Sequence, residues 1–86
     1  MEINVQNDFC IITPLSPIIN KYQAERLSME IKNYLNFNVG IDMTYVEDCT
    51  IDFIEQLNLF KNISLFNITS DIFAFLSNFI PGFFIS

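Results

Sequence analysis

Residues 38–54 carry the sequence NVGIDMTYVEDCTIDFI, in which a short apolar segment ends at an acidic residue. Residues 39–43 predict a strand, and their apolar density indicates burial on both faces. A polar loop follows, and Thr50 or Asp52 can cap the helix that comes next. In an open α/β sheet, ligands and partners are met at the loop after the carboxyl end of a strand. This segment therefore predicts where a functional site lies.

The residues before this segment predict a β-hairpin. Residues 3–5 alternate in polarity, and residues 9–13 are rich in β-branched side chains. Asn7 and Asp8 lie between them, and these residue types are typical of a tight turn.

A helix is predicted next, because Asn20 and Gln23 have the spacing of a capping box. Apolar residues then recur at helical spacing for about four turns. This pattern places the end of the helix near residues 35–37.

The rest of the chain predicts one more strand and one more helix. Residues 63–68 form the strand, and Thr69 or Ser70 caps the helix. The apolar face of this helix consists of Ile72, Phe75, Leu76, Phe79 and Ile80. Pro81 and Gly82 then end it.

The resulting order of elements is β-β-α-β-α-β-α. Alternating strands and helices predict an α/β fold in which helices pack on a mixed, mostly parallel sheet. A chain of 86 residues is expected to form a single small domain, residues 1–86.

Charge limits the expected partners. The chain carries ten acidic and four basic residues, for a net charge of −6. Nucleic acid is bound through clustered Lys and Arg, so it is not an expected partner, whereas a basic or neutral protein is. Polar residues interrupt the apolar segments near both ends. We therefore expect no signal peptide, no transmembrane segment and a cytoplasmic location.

Enzymatic chemistry is not expected. The chain has no His, which excludes His-based triads and Cys/His zinc sites. Gly40 and Gly82 are its only glycines, too few for a phosphate-binding Gly-rich loop. We therefore expect a non-enzymatic protein without a cofactor. Cys10 and Cys49 are either a redox pair or disulfide, or two partly buried thiols in a reducing cytoplasm, and we favour the thiols.

Four acidic residues surround the central loop: Asp42, Glu47, Asp48 and Asp52. They could hold a divalent metal ion, or Asp42 could accept a phosphate. A solvated loop that caps the next helix explains the same residues, and we favour this interpretation. Thr50 also has two candidate roles. It is either a phosphorylation site at the start of a helix or only the N-cap, and we favour the N-cap.

Two segments resemble the STAS domain family, the fold of anti-sigma factor antagonists and related small bacterial proteins. The first is residues 41–46, IDMTYV, in which Asp follows an apolar residue and a hydroxyl residue comes two positions later. The second is residues 65–70, LFNITS, in which a strand ends at Asn before a helix. Together with the order of elements, the resemblance covers roughly residues 3–80.

The resemblance implies a partner that docks at the central loop and the amino end of the following helix. Counted from Asp42, the loop Asp of the family falls on Thr50 and its phosphorylatable Ser falls on Ile51. If the alignment shifts by one residue, Thr50 takes the Ser position and Cys49 the Asp position. The first alignment removes the phospho-acceptor, whereas the second keeps a hydroxyl.

By this resemblance we expect a bacterial regulatory protein similar to anti-sigma factor antagonists. Its partner would be a kinase-like or anti-sigma protein, and its phospho-acceptor loop would be degenerate. The expected contact residues are Asp48, Cys49, Thr50, Asp52 and Phe53, with Asp42 supporting the loop from beneath.

Two alternative functions stay open. One is a structural subunit of a transport or other multiprotein assembly, and the other is a protein whose acidic loop binds metal or accepts a phosphate. A homodimer is also left open. The apolar tail at residues 83–85 could fold back on the core or form a partner or dimer patch.

Overall fold

The computed structural model of the protein describes residues 1–79, which form six strands and three helices. In chain order these are β1 (Glu2–Gln6), β2 (Phe9–Thr13), β3 (Ile18–Ile19), α1 (Lys21–Lys32), β4 (Asn38–Asp42), β5 (Asp48–Cys49), α2 (Ile51–Leu57), β6 (Ser64–Phe66) and α3 (Ser70–Ser77). The predictions for Ile80, for a helix end at Pro81 and Gly82, and for the tail at residues 83–85 lie outside the described residues.

A four-stranded sheet in the order β1-β2-β4-β6 forms the centre of the fold. β1 and β2 are antiparallel, whereas β4 runs parallel to both β2 and β6. The predicted α/β fold with a mixed, mostly parallel sheet is therefore confirmed. Because the register pairs Asp42 with Phe66, the carboxyl ends of β4 and β6 lie side by side.

The hairpin forms around the predicted turn. Gln6 pairs with Phe9, so only Asn7 and Asp8 connect the two strands. Asn7 has a φ of 54°, in the left-handed region that Asn tolerates better than most residues. The turn chemistry thus sets the register of the hairpin.

At the starts of α1 and α3, a predicted N-cap side chain accepts a hydrogen bond from a backbone amide of the first turn. Asn20 Oδ1 accepts from the Gln23 amide at 3.0 Å, and Thr69 Oγ1 accepts from the Ile72 amide at 3.2 Å. α1 ends at Lys32, earlier than predicted. The Tyr34 amide donates to the Ile31 carbonyl three residues back, so the chain leaves the helix through a tight turn.

The core lies between the helices and one face of the sheet. It combines alternate sheet residues with the apolar faces of the helices, and among its members are Cys10, Ile12, Val39, Ile41, Leu65, Ala24, Leu27, Ile31, Phe53, Ile54, Leu57, Ile72 and Leu76. Side chains alternate between the faces of a sheet, so the residues between these positions point away from the helices. None of the helices within residues 1–79 has the length and apolar character needed to cross a bilayer.

The opposite face of the sheet, which we call the open face, carries Phe9, Ile11 and Phe66. These residues are not part of the core, nor of the partly buried side chains packed against it. Residues 39–41 of β4 are buried, as expected for a strand covered on both faces. On the open face, however, the cover over Gly40 comes from the side chains of Phe66 and Ile11 rather than from a helix.

Candidate functional site

Asp42 holds together the loops that follow β4 and β6. Its Oδ1 accepts from the Thr44 amide at 3.0 Å, from the Thr44 hydroxyl at 2.5 Å and from Asn67 Nδ2 at 3.0 Å. The hydrogen bond from the Thr44 side chain lowers the pKa of Asp42 most, against the opposing effect of burial, and the bond from Asn67 lowers it further. Asp42 therefore stays ionised and fixes the start of the central loop.

The central loop is also fixed against the segment before α1. The amides of Glu47 and Asp48 donate to the Pro17 carbonyl at 2.7 and 3.1 Å, and the Thr50 amide donates to the Ile19 carbonyl at 3.0 Å. These bonds accompany a parallel pairing of β3 with β5 that the sequence analysis did not predict. Its only sequence signal is the β-branched pair at residues 18–19, which is too short to show an alternating pattern.

Thr50 is the N-cap of α2, but its side chain does not accept a hydrogen bond from the first turn. The hydroxyl instead donates to Asp52 Oδ2 at 2.8 Å, and it lies 3.4 Å from the Ile19 carbonyl oxygen. Both Thr50 and Asp52 are half-buried. The structure thus selects Thr50 over Asp52 as the cap position and leaves its hydroxyl engaged within the chain.

Two of the expected contact residues are not available to a partner. Cys49 is 7% exposed and Phe53 is 1% exposed, and both belong to the core. Their burial argues against the prediction that they contact a partner. Burial raises the pKa of the Cys49 thiol to about 11, with a smaller contribution from the negative charge of Asp48. Pairing with β3 turns Cys49 inward, and Phe53, in the first turn of α2, faces the core.

We call five exposed residues of β3, the central loop, β5 and the start of α2 the corner surface: Ile18, Tyr45, Glu47, Asp48 and Ile51. All five are exposed. Ile18 and Asp48 are partners in the β3–β5 register, so their side chains share a face. Of these five residues, only Asp48 is a partner contact predicted from the sequence. Ile18, Tyr45 and Ile51 were missed, because an apolar residue beside a core position looks like another core residue.

Within residues 1–79, no group of three or more His, Cys, Asp or Glu side chains comes together in a way that could hold a metal ion. The three donors around Asp42 Oδ1 are hydroxyl and amide groups of the chain itself.

No model of a protein family matches the chain, and no curated protein sequence matches it.

Proposed function

We propose that this chain is a non-enzymatic protein–protein interaction domain of the STAS type, acting as a bacterial regulatory protein in the cytoplasm. Its corner surface docks a protein partner. The observation that carries the proposal is the exposure of Ile18, Tyr45 and Ile51. These residues lie on two segments that backbone hydrogen bonds hold together. A fixed surface loses little conformational entropy on binding, so its apolar side chains can contribute directly to affinity.

The negative charge of the corner surface indicates the chemistry of the patch that a partner would present. Glu47 and Asp48 flank the apolar side chains, and the whole chain has a net charge of −6. Interfaces commonly combine an apolar centre with a polar rim, and complementary charges raise the association rate. The partner should therefore present an apolar patch bordered by Lys or Arg.

The STAS assignment is supported by a contact between the two segments that carry the resemblance. Asn67, which ends the second segment, donates to Asp42 of the first segment at 3.0 Å and to Thr44 Oγ1 at 3.2 Å. The segments therefore act together in positioning the loop before α2. In the STAS family, this loop and the amino end of the next helix form the docking region.

The proposed module does not switch by phosphorylation. The Thr50 hydroxyl is engaged with Asp52, and a phosphate there would meet the carboxylates of Asp52 and Asp48. The repulsion between these charges opposes the attraction of the helix amino terminus. We therefore infer that the loop is a degenerate phospho-acceptor loop and that binding is constitutive.

The engagement of the Thr50 hydroxyl by Asp52 also favours one alternative function. A structural subunit of a transport or other multiprotein assembly also needs a permanent docking surface and no phosphate switch. The two functions differ in the lifetime of the complex. A subunit remains bound through purification, whereas a regulatory module exchanges between free and bound forms.

Site-specific photo-crosslinking in the native host tests the docking surface. A photoreactive amino acid replaces Tyr45 or Ile51, and the matched control replaces Met29, which is 67% exposed on α1. We expect the same protein to be crosslinked from positions 45 and 51 but not from position 29. Glu47→Lys should reduce this crosslink several-fold, whereas Glu25→Lys on α1 should not.

The proposal fails if crosslinking from position 29 equals that from positions 45 and 51. It also fails if Glu47→Lys has no effect on the crosslinked product. A phosphate found on Thr50 by mass spectrometry of the native protein would overturn the inference of constitutive binding. Recovery of the crosslinked protein in a stable stoichiometric complex would favour the assembly subunit.

A further inference from the structure

The outer edge of β6 carries backbone groups that β4 does not pair. The Met43 amide donates to the Phe66 carbonyl at 2.8 Å, and Asp42 pairs with Phe66 in the parallel register. Phe66 therefore turns its N–H and C=O toward β4, and so does Ser64 two residues earlier. Leu65 lies between these two residues, so its N–H and C=O point away from β4, out of the sheet.

The N–H and C=O of Leu65 need a partner, because this edge of the sheet is buried. Leu65 is 0% exposed, so water does not reach either group. No hydrogen bond within residues 1–79 pairs them. Buried backbone groups of folded proteins are paired in more than about 90% of cases, since an unpaired one costs as much free energy as a lost hydrogen bond. A further strand at this edge would supply both partners, as β4 does on the other side of β6.

The path of the chain leads to the same edge. The connections β2–α1–β4 and β4–α2–β6 each join neighbouring parallel strands, and each advances the sheet by one strand in the same direction. All three helices contribute to a single core and so pack on one face of the sheet. Crossover connections between parallel strands share one hand. A strand that follows α3 therefore takes its place beside β6, at the outer edge.

The sequence beyond the described residues has the composition of such a strand. Residues 80–86 read IPGFFIS, in which Pro81 and Gly82 are typical of a turn and residues 83–85 are aromatic or β-branched. Because α3 ends at Ser77, residues 78–82 connect it to this apolar segment. Connections between a helix and the next strand of an α/β unit usually contain about two to six residues. Both the length of the connection and the residue types thus fit an extension of the sheet.

We propose that residues 83–85 add to the outer edge of β6 as a further parallel strand. The N–H and C=O of Leu65 then pair with backbone groups of this segment. The side chains of the added strand alternate between the core and the open face, and those on the open face lie beside Phe66. The segment also closes the edge against strand addition by another chain.

The shortness of the edge favours a segment of the same chain over a separate molecule. β6 contains three residues and therefore spans about 10 Å. Pairing along so short a strand provides few hydrogen bonds, too few to offset the entropy that a separate molecule loses on binding. A segment tethered through α3 loses much less, because its effective concentration at the edge is high. The occupant is therefore the chain itself.

NMR spectroscopy of the full, isotopically labelled chain tests the pairing directly. We expect a scalar coupling across a hydrogen bond from the Leu65 amide nitrogen to a carbonyl carbon within residues 80–86. Nuclear Overhauser contacts should also join residues 83–85 to β6. Mixing the labelled chain with an excess of unlabelled chain then identifies the source of the segment. The coupling should keep its strength in this mixture, because the two paired groups belong to one molecule.

Hydrogen exchange of the Leu65 amide tests the proposal by substitution. The Ile41 amide lies in β4 at the centre of the sheet, so it reports global opening in the same sample. Phe83→Ser or Phe84→Ser should raise the exchange rate of Leu65 relative to Ile41 at least about tenfold, because each removes a ring that holds the added strand. Phe73→Ser is the control. It removes a ring that is 49% exposed on α3 and should leave the ratio of the two rates unchanged.

Three outcomes would overturn the proposal. The first is a Leu65 amide that couples to a carbonyl within residues 1–79 or to no carbonyl at all. The second is a coupling that is lost as unlabelled chain is added, which would identify a second copy as the source of the strand. The third is a ratio of exchange rates that neither Phe83→Ser nor Phe84→Ser changes. The photo-crosslinks from positions 45 and 51 do not depend on any of these outcomes.

Discussion

Asn67 Nδ2 lies 3.0 Å from Asp42 Oδ1, although the two residues are 25 positions apart in the chain. Asn67 has a φ of 58°, a conformation that Asn adopts more readily than most residues and that turns its side chain back toward the end of β4. The bond links the exits of two parallel strands. It thereby fixes the base of the loop that leads to the corner surface.

Removing the charge of Asp42 should destabilise the fold in a pH-dependent manner. Because three donors converge on one carboxylate oxygen, Asp42→Asn should lower the free energy of unfolding by about 1–2 kcal/mol at pH 7. The pKa of Asp42 is lowered in the folded state from its ordinary value of 3.8. The stabilisation is therefore complete above the unfolded pKa and is lost as the pH falls through the lower folded pKa.

Urea unfolding at neutral pH and at acid pH values well below the ordinary carboxyl pKa of 3.8 measures this difference. The difference in free energy of unfolding between the wild type and Asp42→Asn should become smaller in acid. Asp8→Asn, which changes an exposed turn residue, should show only a small difference at either pH. An equal loss for Asp42→Asn at both pH values would mean that the charge of the carboxylate is not responsible.

A side chain at position 40 should strain the open face. A Cβ at Gly40 would overlap Phe66 Cε2 and lie 3.0 Å from Ile11 Cδ1. Gly40→Ala should therefore lower the free energy of unfolding by about 1–3 kcal/mol. The ring of Phe66 is the main obstacle, so Gly40→Ala should cost less when Phe66→Leu is also present. A double-mutant cycle by chemical denaturation measures this coupling, and strictly additive effects would contradict the contact.

Ser28 offers a stabilising substitution. It is the one buried polar residue of the core region within residues 1–79, and its hydroxyl has no hydrogen-bond partner there. Ser28→Ala should raise the free energy of unfolding by about 0.5–2 kcal/mol, because the desolvation cost disappears and Ala favours the helix. Ser77→Ala is the control, since the Ser77 hydroxyl is exposed and donates to the Phe73 carbonyl at 2.7 Å. A loss of stability in Ser28→Ala would show that the hydroxyl has a partner.

The two thiols should be unreactive in the folded protein. Cys10 and Cys49 are free and buried, and burial is the main reason that both pKa values are raised, that of Cys49 to about 11. The folded state thus keeps a proton that the unfolded state loses, so stability should fall as the pH rises above about 9. At pH 7.5, an aromatic disulfide reagent should react with Cys10 and Cys49 of the native protein at least 100-fold more slowly than with the thiol at position 29 of the variant Met29→Cys. Rapid reaction at Cys49 in the native state would contradict its burial.

The local features of the fold could be predicted because neighbouring residues determine them. Asn7 and Asp8 form the turn of the hairpin, and Asn20 and Thr69 accept hydrogen bonds from the first turns of their helices. Each of these interactions joins residues no more than three positions apart. The alternation of strands and helices then restricts the sheet to a mostly parallel arrangement.

The candidate site was predicted less completely, because its residues meet across long distances in the chain. The resemblance to STAS domains indicated the loop, and Asp48 is exposed there as expected. Cys49 and Phe53 were expected in the same surface, yet they lie in the core. The inward orientation of Cys49 follows from the pairing of β5 with β3, whose members are about 30 positions away. Nothing near Cys49 in the sequence records that pairing.

The sequence by itself determined the hairpin turn, the Asn20 cap, the alternation of the longer strands and helices, and the acidic character of the chain, since these depend on local backbone preferences and composition. Only the tertiary structure decided that Asp42 meets Asn67, that Ile18 and Ile51 face outward, and that Phe66 covers Gly40. These outcomes depend on strand register and on which face of the sheet the helices cover. Both are set by packing of the whole core rather than by any one segment.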